Sequence, residues 1–155
     1  MLITEYLKSE CIIIDLEAGS KEVLISELAE LMLKQYPEID RDEAMVGLQD
    51  RENVLSTGIG NGVAIPHARL QSSSGISVSF GLVQGGTDFD AIDKQPVQII
   101  FLVFFPKDEV GLQPRFLARI SRLLTHTSLK EDLLACQTPE EVIDAFRQYE
   151  AKHFH

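Results

Sequence analysis

Of the four histidines in this chain, His67 alone stands in a setting suited to chemistry. It follows the run Leu-Ser-Thr-Gly-Ile-Gly-Asn-Gly-Val-Ala-Ile-Pro that begins at Leu55, in which three glycines fall within five residues and an apolar strand is closed by Pro66. Such a run reads as a rigid mount that holds a side chain at a sheet edge beside a loop rich in free backbone N–H groups. Imidazole titrates near neutrality, so it is largely unprotonated and nucleophilic at cellular pH. It can attack phosphorus and release it again. A transferred phosphoryl group needs donors around its oxygens, and Ser56, Thr57, the amides from Gly58 through Asn61 to Gly62 and the guanidinium of Arg51 are the local candidates. Taken alone, the same residues also describe an ordinary turn with a hydrogen-bonded histidine. His126 falls at a predicted helix end, where an imidazole can satisfy terminal carbonyls, and His153 and His155 lie in a closing Lys-His-Phe-His stretch read as a frayed, solvated tail. No spacing of His, Cys or carboxylate residues suits a metal, so a metal hydrolase is disfavoured and no cofactor is expected.

The elements that must position His67 are legible from periodicity. Ile12 to Ile14 reads as a short buried strand, and Ser20 as the cap of a helix in which Val23, Leu24, Leu28, Leu31 and Met32 recur at helical spacing until Pro37. Asp40 with Glu43 makes a capping-box-like start to a second helix running toward Asn53. Ile76 to Val83 alternates like a strand, Gly85 to Asp93 is a connection, and Val97 to Phe105 is a nearly unbroken apolar run expected to lie centrally with both faces covered. Phe116, Leu117, Ile120, Leu123 and Leu124 then mark a helix with Arg115, Arg119 and Arg122 on another face. Ser128 with Glu131 opens a short helix, and Thr138, Pro139 and Glu141 open the last. Neither a repeat nor a linker is evident. The expected fold is a single α/β domain over residues 1–155, a mixed parallel and antiparallel sheet flanked by helices on both faces.

Composition narrows the function classes. The chain is 155 residues long, 45% hydrophobic and 25% charged, as globular domains are. No apolar run approaches the roughly 20 residues that span a bilayer, and the first ten residues lack a signal-peptide pattern, so a cytoplasmic protein with no direct membrane insertion is expected. A formal charge of −10 argues against nucleic acid as a partner. An acidic balance ordinarily serves solubility, and less directly it also suits a protein partner with a basic docking patch. Cys11 and Cys136 read as reduced, partly buried thiols.

Arg51-Glu52 followed by Ser56-Thr57-Gly58-Ile59-Gly60-Asn61-Gly62-Val63-Ala64-Ile65-Pro66-His67 resembles the signature of the fructose/mannitol-type IIA components of the bacterial sugar phosphotransferase system, including the nitrogen-regulatory members. The likeness extends more loosely through Phe89, Pro96-Val97, the strand to Phe105 and the helix from Phe116 to Leu124. The resemblance implies phosphorylation of His67 as a tele-phosphohistidine by the carrier HPr, and a role for Arg51 in contacting the phosphoryl group or its donor. It also implies a IIB component or a regulatory target as recipient, with the Gly-Ile-Gly-Asn-Gly run closer to the nitrogen-regulatory branch. One departure stands out. Many family members carry a second histidine just before the long helix, where this chain reads Gln113-Pro114. His126 lies thirteen positions beyond Gln113, roughly 20 Å along a continuous helix, and cannot replace it. Gln113 keeps an amide donor without the titratable charge, and Arg115 is a candidate cation nearby. Two readings follow: a phosphocarrier working through His67, and a degenerate relative that acts by protein binding alone.

Overall fold

In a computed structural model that describes residues 1–154, the chain forms five α-helices and a six-stranded sheet. After two short 3-10 turns, Ile3–Glu5 and Ser9–Cys11, come β1 (Ile12–Ile13), α1 (Lys21–Gln35) and α2 (Arg41–Val54). Next are β2 (Gly58–Gly60), β3 (Val63–Ala64), β4 (His67–Leu70), β5 (Ser77–Thr87) and β6 (Val97–Pro106). The chain closes with α3 (Leu112–His126), α4 (Leu129–Leu134) and α5 (Pro139–His153). The strand order is β1-β5-β6-β3-β2, with β4 also pairing β6. The β5–β6 and β2–β3 pairs are antiparallel and β1–β5, β3–β6 and β4–β6 are parallel, so the sheet is mixed, as expected.

The apolar run of β6 lies centrally, between β5 on one side and β3 and β4 on the other, and is buried along its whole length apart from Gln98. Successive side chains of a strand point to opposite faces. Ile99, Phe101, Val103 and Phe105 therefore pack with Phe116, Ile120, Leu129, Val142 and Phe146 of α3, α4 and α5, while Ile100, Leu102 and Phe104 pack with Leu24, Leu28, Met32, Ala44 and Leu48 of α1 and α2. Both faces are covered by helices.

Helix starts follow their caps. The Ser20 hydroxyl accepts from Val23 N, Asp40 from Glu43 N at 2.8 Å, and Thr138 from Glu141 N at 3.1 Å with Pro139 in the first turn. Several expectations are corrected. Val23 is exposed, and α1 buries Leu24, Ile25, Leu28, Ala29 and Met32 instead. The Asp40–Glu43 box is half formed: Glu43 turns to accept from Gln71 N, Ser72 N and the Ser72 hydroxyl, and that hydroxyl accepts from Asp40 N. Ser128 does not cap α4 through its side chain; Thr127 Oγ1 accepts from Leu129 N. The strand read as alternating is buried on both faces from Ser77 to Val83, and β5 runs on through Gly85 and Gly86 with a register shift before Thr87. Cys11 closes a 3-10 turn rather than a strand, and burial pushes its thiol up to about 11. The tail is not frayed as far as it is described: α5 reaches His153, which stacks on Tyr149, and Phe154 lies under the guanidinium of Arg119 at 4.0 Å. His155 lies outside the described residues. Among the described residues no helix is long and apolar enough to cross a membrane, and no cluster of three or more His, Cys, Asp or Glu is placed to hold a metal ion.

Candidate functional site around His67

His67 opens β4 rather than closing the strand before it. β3 and β4 are two pieces of one line of chain beside β6, and they keep the same register across the break: Val63 opposite Ile99, Ala64 opposite Ile100, His67 opposite Val103. Ile65 and Pro66 form the break. Proline has no N–H to give the ladder, while its carbonyl still accepts from Val103 N at 3.0 Å. The Ile65 carbonyl is thereby left to the side chain two residues on, and His67 Nδ1 lies 2.7 Å from it. A carbonyl only accepts, so Nδ1 carries the hydrogen and Nε2 of the neutral ring keeps its lone pair.

Residues opposite one another in a parallel ladder share a face, so His67 points with Val103 toward α3. There it lines a cleft of about 390 Å³ with Arg51, Leu55, Ser56, Thr57, Ile59, Ile65, Ile92, Leu117, Ala118 and Ser121. The ring is buried, 7% exposed, with Phe105 edge-on beneath it at 6.3 Å between centroids. Burial pulls its pKa below the ordinary histidine value; the Ile65 carbonyl and the Glu52 charge oppose the shift and the Arg51 charge adds to it. The neutral imidazole is the resident form at neutral pH.

Arg51 reaches the cleft from the last turn of α2, donating Nη1 to Leu55 O at 2.7 Å. A guanidinium has five N–H donors, so others stay free for an anion. Ser56 and Thr57, the candidate hydroxyl donors, line the cleft, but their hydroxyls are engaged elsewhere, Ser56 Oγ donating to Phe89 O at 2.9 Å and Thr57 Oγ1 to the Glu52 carboxylate.

The glycine-rich run is not an open nest of amides. Gly58 pairs with Ala64 in β2 and β3, and its N–H donates to Ser56 Oγ. Asn61 and Gly62, with φ of 58° and 76°, form the tight hairpin turn, the positive angles that an Asn-Gly pair supplies in a type I′ hairpin. Asn61 N donates to Asp93 Oδ2, and Asn61 borders a separate groove with Lys130 and Pro96. Neither Gly58 nor Asn61 lines the His67 cleft. The Asn-Gly dipeptide is itself the strongest short hairpin signal, and it outweighs glycine count as a guide to this segment.

On α3 the residues that line the cleft are Leu117, Ala118 and Ser121. Gln113 sits one turn before Leu117, half-buried and outside the cleft lining, and Arg115 is exposed with Nε directed to Gly111 O at 3.3 Å. Ile92 at the mouth and Ala118 and Ser121 on the α3 wall carry no sequence signal, while Glu52 and Ile59 belong to the signature stretch without any sign of where they would sit. Only the fold assembles them.

The family described as "Phosphoenolpyruvate-dependent sugar phosphotransferase system, EIIA 2" matches residues 5–149. The fructose-specific EIIABC component of Bacillus subtilis is 31% identical over 150 residues, covering 97% of this chain and 24% of that protein, so the chain spans about a quarter of that relative's length. The fructose-specific EIIA component of Haloferax volcanii is 32% identical over 139 residues, covering 90% of each chain. Among solved structures, the nitrogen regulatory protein IIA-Ntr from Neisseria meningitidis superposes with a TM-score of 0.81 at 30% identity, over 93% of this chain and 98% of that one. With a mixed sheet, a cleft histidine and a match from Glu5 to Tyr149, the chain belongs to the EIIA 2 family of the phosphoenolpyruvate-dependent sugar phosphotransferase system.

Proposed function

We propose that this chain is a cytoplasmic phosphocarrier that accepts a phosphoryl group on Nε2 of His67 from an HPr-like protein. The observation that carries the reading is the 2.7 Å contact between His67 Nδ1 and Ile65 O, which leaves Nε2 unprotonated in a cleft shared with Arg51. In the transfer, the Nε2 lone pair attacks phosphorus in line as the bond to the donor's imidazole breaks. The new phosphoramidate leaves a positive charge on the His67 ring, and the Ile65 carbonyl, which accepts the Nδ1–H hydrogen bond, stabilises it. Arg51 offsets the phosphoryl charge. Leu55, Ile59 and Ile92 are exposed apolar residues at the mouth, and the chain carries a formal charge of −10. An apolar rim on a chain of net negative charge supports docking of a protein partner whose overall charge is complementary. Onward, the group passes to a IIB component or serves as a charge switch on a regulatory surface.

The test is incubation with phosphoenolpyruvate, enzyme I and HPr, read by mass spectrometry under mildly alkaline conditions with His67→Ala as control. An acid-labile phosphate on wild type that is lost in the variant is the expected result. No phosphate on wild type while a bona fide IIA protein is labelled alongside rejects the carrier in favour of a protein that acts by binding alone. Presentation of labelled protein to a IIB component then separates transport from regulation.

A further inference from the structure

The last turn of α2 presents two neighbouring charged residues about 100° apart around the helix. Arg51 faces the cleft, while Glu52 points inward and is buried, with 5% of its side chain exposed. Its carboxylate accepts from Thr57 N at 3.2 Å, from the Thr57 hydroxyl, and from Lys21 Nζ at 3.3 Å. A buried carboxylate with three donors is an anchor, since losing one partner strands a desolvated group. Thr57 continues the connection. Its carbonyl accepts from Ile65 N at 2.9 Å, one step beyond the β2–β3 ladder, and the Ile65 carbonyl is the one on which His67 Nδ1 hangs. A single line of hydrogen bonds thus runs from the Lys21 ammonium through Glu52, Thr57 and Ile65 to the imidazole. Within Thr57 and within Ile65 the line crosses a Cα, so what it conveys is position.

The outer end of the line is equally specific. Lys21 is the first residue of α1, where a cation opposes the helix dipole. Its place is set by the carboxylates of Glu52 and Asp90, each 3.3 Å from Nζ. Burial alone would lower its pKa, yet the two carboxylates together hold it above the ordinary lysine value. The helix start has been given over to a charge that serves the carboxylate, not the helix.

We infer that Glu52 is a positioning residue for the transfer to His67, acting with Lys21 and Thr57 to hold the Ile65 carbonyl that selects the Nδ1–H tautomer and aims Nε2 into the cleft. The inference rests on the reading of His67 as phosphoryl acceptor, but the tautomer it describes is measurable without any phosphate.

The experiment records long-range 1H–15N spectra of the His67 ring and, in parallel, the rate of labelling by phospho-HPr, in wild type and in Glu52→Gln, Lys21→Met, Thr57→Ser and Thr57→Val. Wild type is expected to show one tautomer with the hydrogen on Nδ1. Glu52→Gln and Thr57→Val, checked for native fold by amide spectra, are expected to give a mixture of tautomers and labelling roughly tenfold slower, as losing an outer partner of a functional imidazole typically does. Lys21→Met moves the same way by less, and Thr57→Ser, which keeps the hydroxyl, restores wild-type behaviour. Folded Glu52→Gln, Thr57→Val and Lys21→Met variants with a wild-type tautomer overturn the inference. If Glu52→Gln does not fold, Lys21→Met and Thr57→Val decide. Absence of label on wild type refutes the acceptor reading while the spectra still decide the positioning one.

Discussion

The rings of His67 and Phe105 stand at 80° to each other with their centroids 6.3 Å apart. Phe105 follows Val103, the ladder partner of His67, by two residues and so lies on the same face of the sheet. The histidine is therefore floored by an aromatic ring, which excludes water from one side of it. This is a local cause of the desolvation that depresses its pKa.

From that direction a pH dependence follows. An ordinary histidine titrates near 6.5, and His67 titrates lower. The nucleophilic form persists as pH falls through about 6.5, so labelling by phospho-HPr is expected to stay flat from about pH 8 to that point and to decline only below it. For stability the sign is the same. The unfolded chain takes the proton more readily, so the contribution of neutral His67 is full above the unfolded value and is lost as pH falls through the interval between the two. Titration of the His67 Cε1 proton by NMR checks this, and a midpoint at or above that of an ordinary histidine contradicts it.

Arg51 lines the cleft, whereas Arg69, whose Nη2 donates to Lys107 O at 2.8 Å, is exposed on β4 away from it. Arg51→Ala is expected to slow labelling roughly 10- to 100-fold, the loss of about 1.5–3 kcal/mol typical of a hydrogen bond to a charged group. Arg69→Ala leaves the rate unchanged. Single-turnover rates measured side by side test the pair, and equal rates would remove Arg51 from the reaction.

The α3 wall of the cleft consists of Leu117, Ala118 and Ser121, one turn or more beyond Gln113. Gln113→His, which installs the histidine that the family resemblance implies there, is accordingly expected to leave the rate of His67 labelling unchanged. A faster rate would show that the start of α3 turns into the cleft when the donor docks. Delivery to a IIB component, measured in the same variant, isolates any effect on the onward step.

Gly58 is set so close to the loop after β5 that a Cβ there would come within 2.8 Å of Ala91 Cβ and 2.9 Å of Ala91 Cα. Gly58→Ala must displace backbone and is expected to cost about 1–3 kcal/mol, as overpacking does. Urea unfolding reads the loss. Adding Ala91→Gly removes one of the two clashes and is expected to recover part of it, while a fully stable single variant would mean that the loop is free to shift.

The central strand and the caps of α1, α2 and α5 were legible in the sequence, because each rests on local pattern, and the motif read in one stretch singled out a histidine that the fold places in a cleft. The surroundings of His67 were less so. Ser56 and Thr57 line the cleft, but Gly58 and Asn61 are spent on a hairpin, since glycine count does not distinguish an anion nest from an Asn-Gly turn. Glu52 entered the sequence reading only as the neighbour of Arg51 in the signature, and only the approach of Lys21 from α1 and of Thr57 from the next segment makes it an anchor. Ile92 and Ser121 reach the cleft through long-range packing that no spacing announces.

From Arg51 to His67 the acceptor side of the cleft is one uninterrupted stretch of chain, while the opposing wall is contributed by α3 from much later in the sequence. The two sides are thus mechanically separable: substitutions along the cleft-lining face of α3 reshape what faces the imidazole and leave the Ile65 carbonyl, Thr57 and Glu52 that hold it in place.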